Sequence, residues 1–302
     1  MESLTNFFQL FLNGLLTGTI YSLIALGFVV IYKSSKIINF AQGHLLMVGS
    51  YLCVILVTSF HLSFVSALLL TFGFAIFLGL IIERLILRPL IGEPILSVVM
   101  ATIGLASVIK SALMIICGPE IRVFPPILQG KILKFGGLPV PYLTVYSFIG
   151  VGIFLLCFGA FYRYSRTGIA MRALADDQLA AQASGVSVKK AYGISWGIAA
   201  MVAFAGGILI GNISGVSSSL EPFGLKVFPA IILGGLESLM GAILGGLILG
   251  VLETITVGYL SFLMPVDVGS GVLRDVVPYI ILIFILMVKP YGLFGLKDIE
   301  KV

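Results

Sequence analysis

Charge is what this chain of 302 residues has least of. Charged residues make up 10% of it and hydrophobic residues 59%, against about 25% charged in an ordinary soluble domain. Mean hydropathy is +1.17. That balance excludes a water-soluble fold and leaves a polytopic helical membrane protein. The alternating segments of a membrane barrel are missing as well; the apolar runs are continuous. Histidine is scarce: His44 and His61 are the two present, and no H-E-x-x-H site can be built. Cys53, Cys117 and Cys157 lie far apart at no metal or redox spacing, and read as packing residues. No G-x-x-x-x-G-K-[ST] loop is present, so ATP is not bound in the P-loop manner. No Ser, His and Asp are placed for hydrolysis. The expectation is a chain that is not an enzyme and carries no cofactor or metal. The net charge of +5 reflects loop lysines and arginines rather than a nucleic-acid partner.

What is there is a series of apolar runs. Hydropathy places spans at about 7–32, 38–59, 64–87, 95–117, 142–162, 192–213, 224–236, 239–263 and 274–289. The first is too long for a signal-peptide core and follows no basic residue, so it is expected to remain as a span. The run 224–236 is too short to cross and reads as a re-entrant or broken helix. The fold class expected is all-α: one transmembrane domain, 1–302, with eight to ten transmembrane or re-entrant helices.

Lys and Arg set the orientation. With the loop 163–190 inside, twelve of the eighteen basic residues lie inside and five outside, Lys110 being within a span. This predicts an N-terminus outside and a C-terminus in the cytoplasm. The longest external loop, 118–142, carries prolines and glycines that forbid helix over most of its length. It reads either as a docking surface for an external partner or as a plain connector.

The loop 163–190, RYSRTGIAMRALADDQLAAQASGVSVKK, is a polar island in an apolar chain. Arg172 to Ser184 is rich in helix formers, with Ala180 and Ala181 keeping one face thin and Gly185 placed to end the helix. Arg172, Lys189 and Lys190 are three of the loop's five basic residues. Such a helix suits docking into a groove of a cytoplasmic partner. Ionisable groups at membrane depth are few (Lys110, Glu237 and Glu253), which argues against an ion-coupled carrier. The alternative motor is a separate ATPase docked on the cytoplasmic face.

Several segments together resemble a known family. ALADDQLAAQASGVSVKKAYGISW looks like the coupling loop of ABC-importer permeases. IINFAQGHLLMVGSY, ERLILRPL, ILGGLESLMGAILGGLILGVLE and KPYGLFG resemble, in order and at comparable spacing, elements of the branched-chain amino-acid permease family, in its shorter, first member of the pair. The resemblance implies a bacterial inner-membrane importer. It implies a second homologous permease, two ATP-binding cassette subunits and a periplasmic substrate-binding protein as partners. The solute implied is a small polar one, a branched-chain amino acid or a related carboxylate or amide. An ion-coupled carrier or a passive urea or amide channel are the alternatives. Two residues depart from the pattern: His44, where members often carry an acid, and Lys110, where they often carry a neutral amide. Both shift local charge toward positive.

The candidate translocation residues are Asn39, Gln42, His44 and Lys110. Asn39 and Gln42 stand at the cytoplasmic start of the second span, where Asn39 could cap the helix or line a gate. Lys110, two turns below the outer end of its span, either snorkels or meets an internal partner, or else faces the path. Glu83 and Arg84 read as a polar network beside the coupling loop or as a surface pair. Gly241, Gly245, Gly246 and Gly250, at four-residue spacing, read as helix-packing positions or as a pore or dimer contact.

Overall fold

Helix follows helix along the chain because lipid leaves the backbone no partner but itself. The computed structural model describes residues 2–125, 132–135, 138–260, 269–289 and 292–294. Its helices are α1 (Glu2–Ser35), α2 (Gln42–Thr58), α3 (Phe64–Ile82), α4 (Ile95–Cys117), α5 (Tyr142–Tyr164), α6 (Arg166–Asp176), α7 (Gln178–Ala183), α8 (Val188–Ser214), α9 (Pro222–Lys226), α10 (Phe228–Gly234), α11 (Leu239–Leu260) and α12 (Gly269–Val288). Seven helical segments among the described residues are long and apolar enough to cross a membrane. Helix α2, at 17 residues, is shorter. The run 224–236 is indeed broken, into α9 and α10. Between α4 and α5 lies a small antiparallel hairpin, β1 (Ile132–Phe135) with β2 (Leu138–Pro141), Ile132 facing Pro141. Lys131, Lys297 and Lys301 lie outside the described residues.

Contacts gather into two compact units. The first comprises 1–25, 128–153 and 226–302; the second comprises 26–127 and 154–225. Lipid is as apolar as leucine, so close approach of backbones, rather than water exclusion, must hold such helices together.

In the first unit that approach is made of glycines on two helices. A Cβ on Gly18 of α1 would sit 2.7 Å from Leu247 Cα, and one on Gly14 would sit 2.7 Å from Val251 Cα. From the α11 side, Gly246 abuts Ser22 and Gly250 abuts Gly18. Ser22 fastens the contact by donating to the carbonyl of Ile243 at 2.6 Å. Gly241 and Gly245 face the other way, onto Gly234 and Ala230 of α10.

In the second unit α8 is the central helix. It packs on α2 and α3 and buries Trp196, Ala199, Ala200, Ala203 and Phe204 with Ile31, Leu45 and Ala75. Gly79 of α3 rests on the Trp196 backbone, and Gly49 of α2 on Phe204. Below Ile82, α3 loosens into a π turn, Glu83–Leu87, and then a 3-10 turn, Arg88–Leu90. The wider turn brings residues five apart onto one side. It thereby pairs Arg88 with Glu83 through two hydrogen bonds, 3.1 and 2.7 Å. This corrects the expected Glu83–Arg84 network: Arg84 is exposed and Arg88 is the partner.

Candidate functional site

The entry to α2 is an irregular stretch of the second unit held by side-chain hydrogen bonds. After α1 ends, Lys36 takes a left-handed backbone (φ 57°) and turns the chain inward. Asn39 accepts from the Ala41 N–H at 3.0 Å and donates to Gln42 Oε1 at 3.2 Å. Gln42 donates in turn to the Ala199 carbonyl of α8 at 3.3 Å. Both side chains are fully buried. Asn39 is therefore not the helix cap; Ala41 occupies that position, and Asn39 closes a turn one step earlier. The Phe40 N–H meets Thr102, well inside α4, at 3.4 Å. The sequence had placed this stretch at the helix end; the structure folds it into the interior beside α4 and α8.

One turn further, His44 lines a cavity of about 370 Å³ that also takes in Gly43, Ser107, Lys110, Glu221 and Leu225. Glu221 holds it together. Its Oε2 lies 2.6 Å from Lys110 Nζ and its Oε1 lies 3.4 Å from His44 Nε2. One carboxylate thus ties α2 to α4. Glu221 stands where a 3-10 turn, Ser218–Leu220, passes into α9. That connector lies directly on α2, with Gly224 against Gly43 and the Glu221 carbonyl against Gly43, too close for a Cβ on either glycine. The Lys110 side chain is 47% exposed and Glu221 29%, so the cavity opens on that side. Helix α4 shows further apolar side chains outward there, including Ile103 and Val108. Lys110 accordingly has an internal carboxylate partner.

The polar segment between α5 and α8 forms two helices where the sequence suggested one. Asp177 leaves the helical backbone (φ −151°, ψ 109°) and caps α7, accepting from the N–H groups of Leu179 at 2.9 Å and Ala180 at 3.0 Å. A side chain that satisfies the first turn of a new helix ends the old one. Gly185 then closes α7 at φ 85°, with its N–H on Gln182 and that of Val186 on Ala181. This pair of reverse bonds needs a left-handed residue. Ala180 is exposed and Ala181 buried. Arg172 donates to the Arg163 carbonyl at 3.1 Å and lies over the Tyr162 ring. Lys189 and Lys190 are exposed on the first turn of α8.

A family model described as "Branched-chain amino acid transport system / permease component" matches residues 10–286. The chain belongs to this permease family. Among curated relatives, the high-affinity branched-chain amino acid transport system permease protein LivH of Salmonella typhimurium is 32% identical over 315 residues, covering all of this chain and 99% of that one. BraD of Pseudomonas aeruginosa, which carries the same description, is 31% identical over 322 residues, with each chain covered in full. A chain of PsaBC from Streptococcus pneumoniae in complex with Fab superposes with a TM-score of 0.51, covering 92% of this chain at 12% identity. That likeness concerns the fold alone.

The permease also holds a charged cluster that the sequence reading passed over. Glu253 of α11 is fully buried. It accepts from Tyr21 Oη at 2.8 Å and lies 3.3 Å from Lys226 Nζ and 3.6 Å from Arg274 Nε. Lys226 also reaches Asp275 at 3.1 Å. Glu253 stood out in the sequence as an acid at membrane depth. Its partners come from three other segments, and spacing along one chain could not name them. Gly14 and Gly18 were missed as well, although they carry the same four-residue spacing that singled out the α11 glycines.

Proposed function

We propose that the permease is the membrane-spanning subunit of an ATP-driven importer that carries a branched-chain amino acid into a bacterial cell. It acts in the inner membrane, paired with a second, homologous permease. Two ATP-binding cassette subunits dock on the segment 163–190, and a periplasmic binding protein delivers the solute. ATP is hydrolysed on those separate subunits. The N-terminus lies outside and the C-terminus inside, as the Lys and Arg distribution favours. The chain acts as one transmembrane domain.

The observation that carries this reading is full-length similarity, end to end, to permease proteins whose transport systems are named for branched-chain amino acids. The local geometry supports it. Helices α6 and α7 are short, polar and capped by their own side chains, so they hold a defined shape outside the apolar helices. Arg172, Ala180, Ala181, Gly185, Lys189 and Lys190 are the residues assigned to ATPase docking. Asn39, Gln42, His44 and Lys110 belong to the path, with Asn39 and Gln42 fixing the α2 entry. The cavity at Lys110 opens to the outside of the subunit. An ion pair left against lipid would be costly there, whereas one lining a water-filled path is not. Gly241, Gly245, Gly246 and Gly250 serve packing within the subunit.

The test is leucine uptake into proteoliposomes holding both permeases and both ATPases, with the binding protein outside and nucleotide inside. Uptake that requires ATP supports the reading. Equal uptake without ATP, or by this chain alone, refutes it.

A further inference from the structure

We infer that Lys110, Glu221 and His44 form a charge-reading site in the permease itself, one that accepts a solute bearing a carboxylate and an ammonium group together and rejects a solute with only one of them. The inference rests on the importer reading for its place in transport, though its chemistry stands on the cavity alone.

The cavity contains one positive and one negative side chain already paired, Lys110 Nζ to Glu221 Oε2 at 2.6 Å. Its volume, about 370 Å³, falls in the range of small-molecule sites, about 300–1,000 Å³. Both charges are half-enclosed, so neither is fully hydrated. Parting such a pair without replacement leaves two poorly solvated charges, and that is costly. A zwitterion can replace both halves at once. Its carboxylate takes Lys110, its ammonium takes Glu221, and the charge of the cavity is balanced before, during and after the exchange. A lone carboxylate satisfies Lys110 but strands Glu221. A lone amine does the reverse, and an uncharged amide compensates neither. His44 supplies the hinge. It is 8% exposed and its Nε2 lies 3.4 Å from Glu221 Oε1, so Glu221 keeps one partner when Lys110 is taken from it. The anchoring of the Glu221 backbone on Gly43 keeps the carboxylate at the cavity rather than letting it follow the lysine. Selection of this kind acts within the membrane, after delivery, and so adds to whatever the delivery protein selects.

The experiment is ligand binding to the purified full-length permease in nanodiscs, followed by NMR with three probes. These are leucine, its 2-oxo acid analogue without the ammonium, and 3-methylbutylamine without the carboxylate. Leucine should bind about tenfold to a hundredfold more tightly than either analogue, the range for losing a hydrogen bond to a charged group. The variant Lys110→Met/Glu221→Met removes both charges together, which a protein often tolerates better than removal of one. It should fold and lose the preference for leucine, so that the three probes bind alike. Glu221→Gln should lose discrimination against the oxo acid while keeping that against the amine. Equal binding of the three probes by the unmodified permease would overturn the proposal. So would retention of the leucine preference in the double variant. Failure of the importer reading shows elsewhere, as ATP-independent uptake, and leaves this binding comparison intact.

Discussion

Gly18→Ala tests how the first unit is held together. A methyl group on Gly18 would lie 2.7 Å from Leu247 Cα and 2.8 Å from the Leu247 carbonyl oxygen. Both are backbone atoms, so no side chain can rotate away. Ordinary contact begins near 3.4 Å, and α1 and α11 must therefore part by about 0.7 Å. Overpacking of this kind costs about 1–3 kcal/mol. Parting the helices also weakens contacts along the whole seam, because lipid offers nothing to drive them back. Alanine is the better helix former by about 1 kcal/mol, which offsets part of the loss. Gly150→Ala on α5 isolates that second effect, since a Cβ there meets nothing within 4 Å. The difference between the two variants is then the packing cost alone. Equilibrium unfolding in mixed micelles, following helix content against denaturing detergent, measures both. Gly150→Ala should match or exceed the unmodified protein, and Gly18→Ala should fall below Gly150→Ala by about 1–3 kcal/mol. Equal stability of the two variants would refute close packing of α1 on α11.

Other substitutions probe the remaining features. Glu253→Gln leaves Lys226 buried without its fully enclosed carboxylate, and the same unfolding assay should show a loss of about 3–5 kcal/mol; a loss below about 1 kcal/mol would mean the cluster is hydrated. Gly185→Glu forces a side chain into a left-handed backbone at the end of α7, so ATPase subunits should co-purify poorly and uptake should fall while membrane insertion is kept; normal yield and uptake would remove that segment from the docking surface. In a background where the exposed Cys157 is serine, a cysteine at Gln178 should resist a membrane-impermeant thiol reagent in intact cells and react after lysis; labelling before lysis would reverse the assigned orientation.

Apolar runs were legible because lipid demands them: the span 95–117 coincides with α4, and the other long spans differ from their helices mainly at the ends, while the run 224–236 is divided between α9 and α10. Irregular backbone was harder to read. The stretch 38–41 looked like the start of a span by hydropathy, yet it is non-helical, with Asn39 and Ala41 buried and Ile38 and Phe40 half-buried; Thr102 and Asn39 accept from the Phe40 and Ala41 N–H groups in place of a helix. Nothing in hydropathy distinguishes those two ways of satisfying a backbone. The break at Asp177 was visible in principle, since an Asp followed by a helix-forming run is a cap signal. Two adjacent acids in an alanine-rich stretch masked it. Lys110 was noticed for its charge, but Glu221 was not, since it sits between apolar runs and its partners lie on α2 and α4. Pairings across such distances depend on the tertiary arrangement, which one chain's spacing does not encode.

The seam between α1 and α11 also has a timing. Gly14 and Gly18 are made near the beginning of synthesis, and their partners at Leu247 and Val251 come more than two hundred residues later. At about 5–20 residues per second, roughly 11–46 s separate the emergence of Gly18 from that of Leu247. For that interval α1 is a single inserted helix whose glycine face has nothing to close upon. Contacts so distant in sequence form late and leave the nascent chain open to wrong neighbours in the meantime. A chain that stops before α11 never ends that wait, and the first helix is the part of it that a membrane protease would find unpaired.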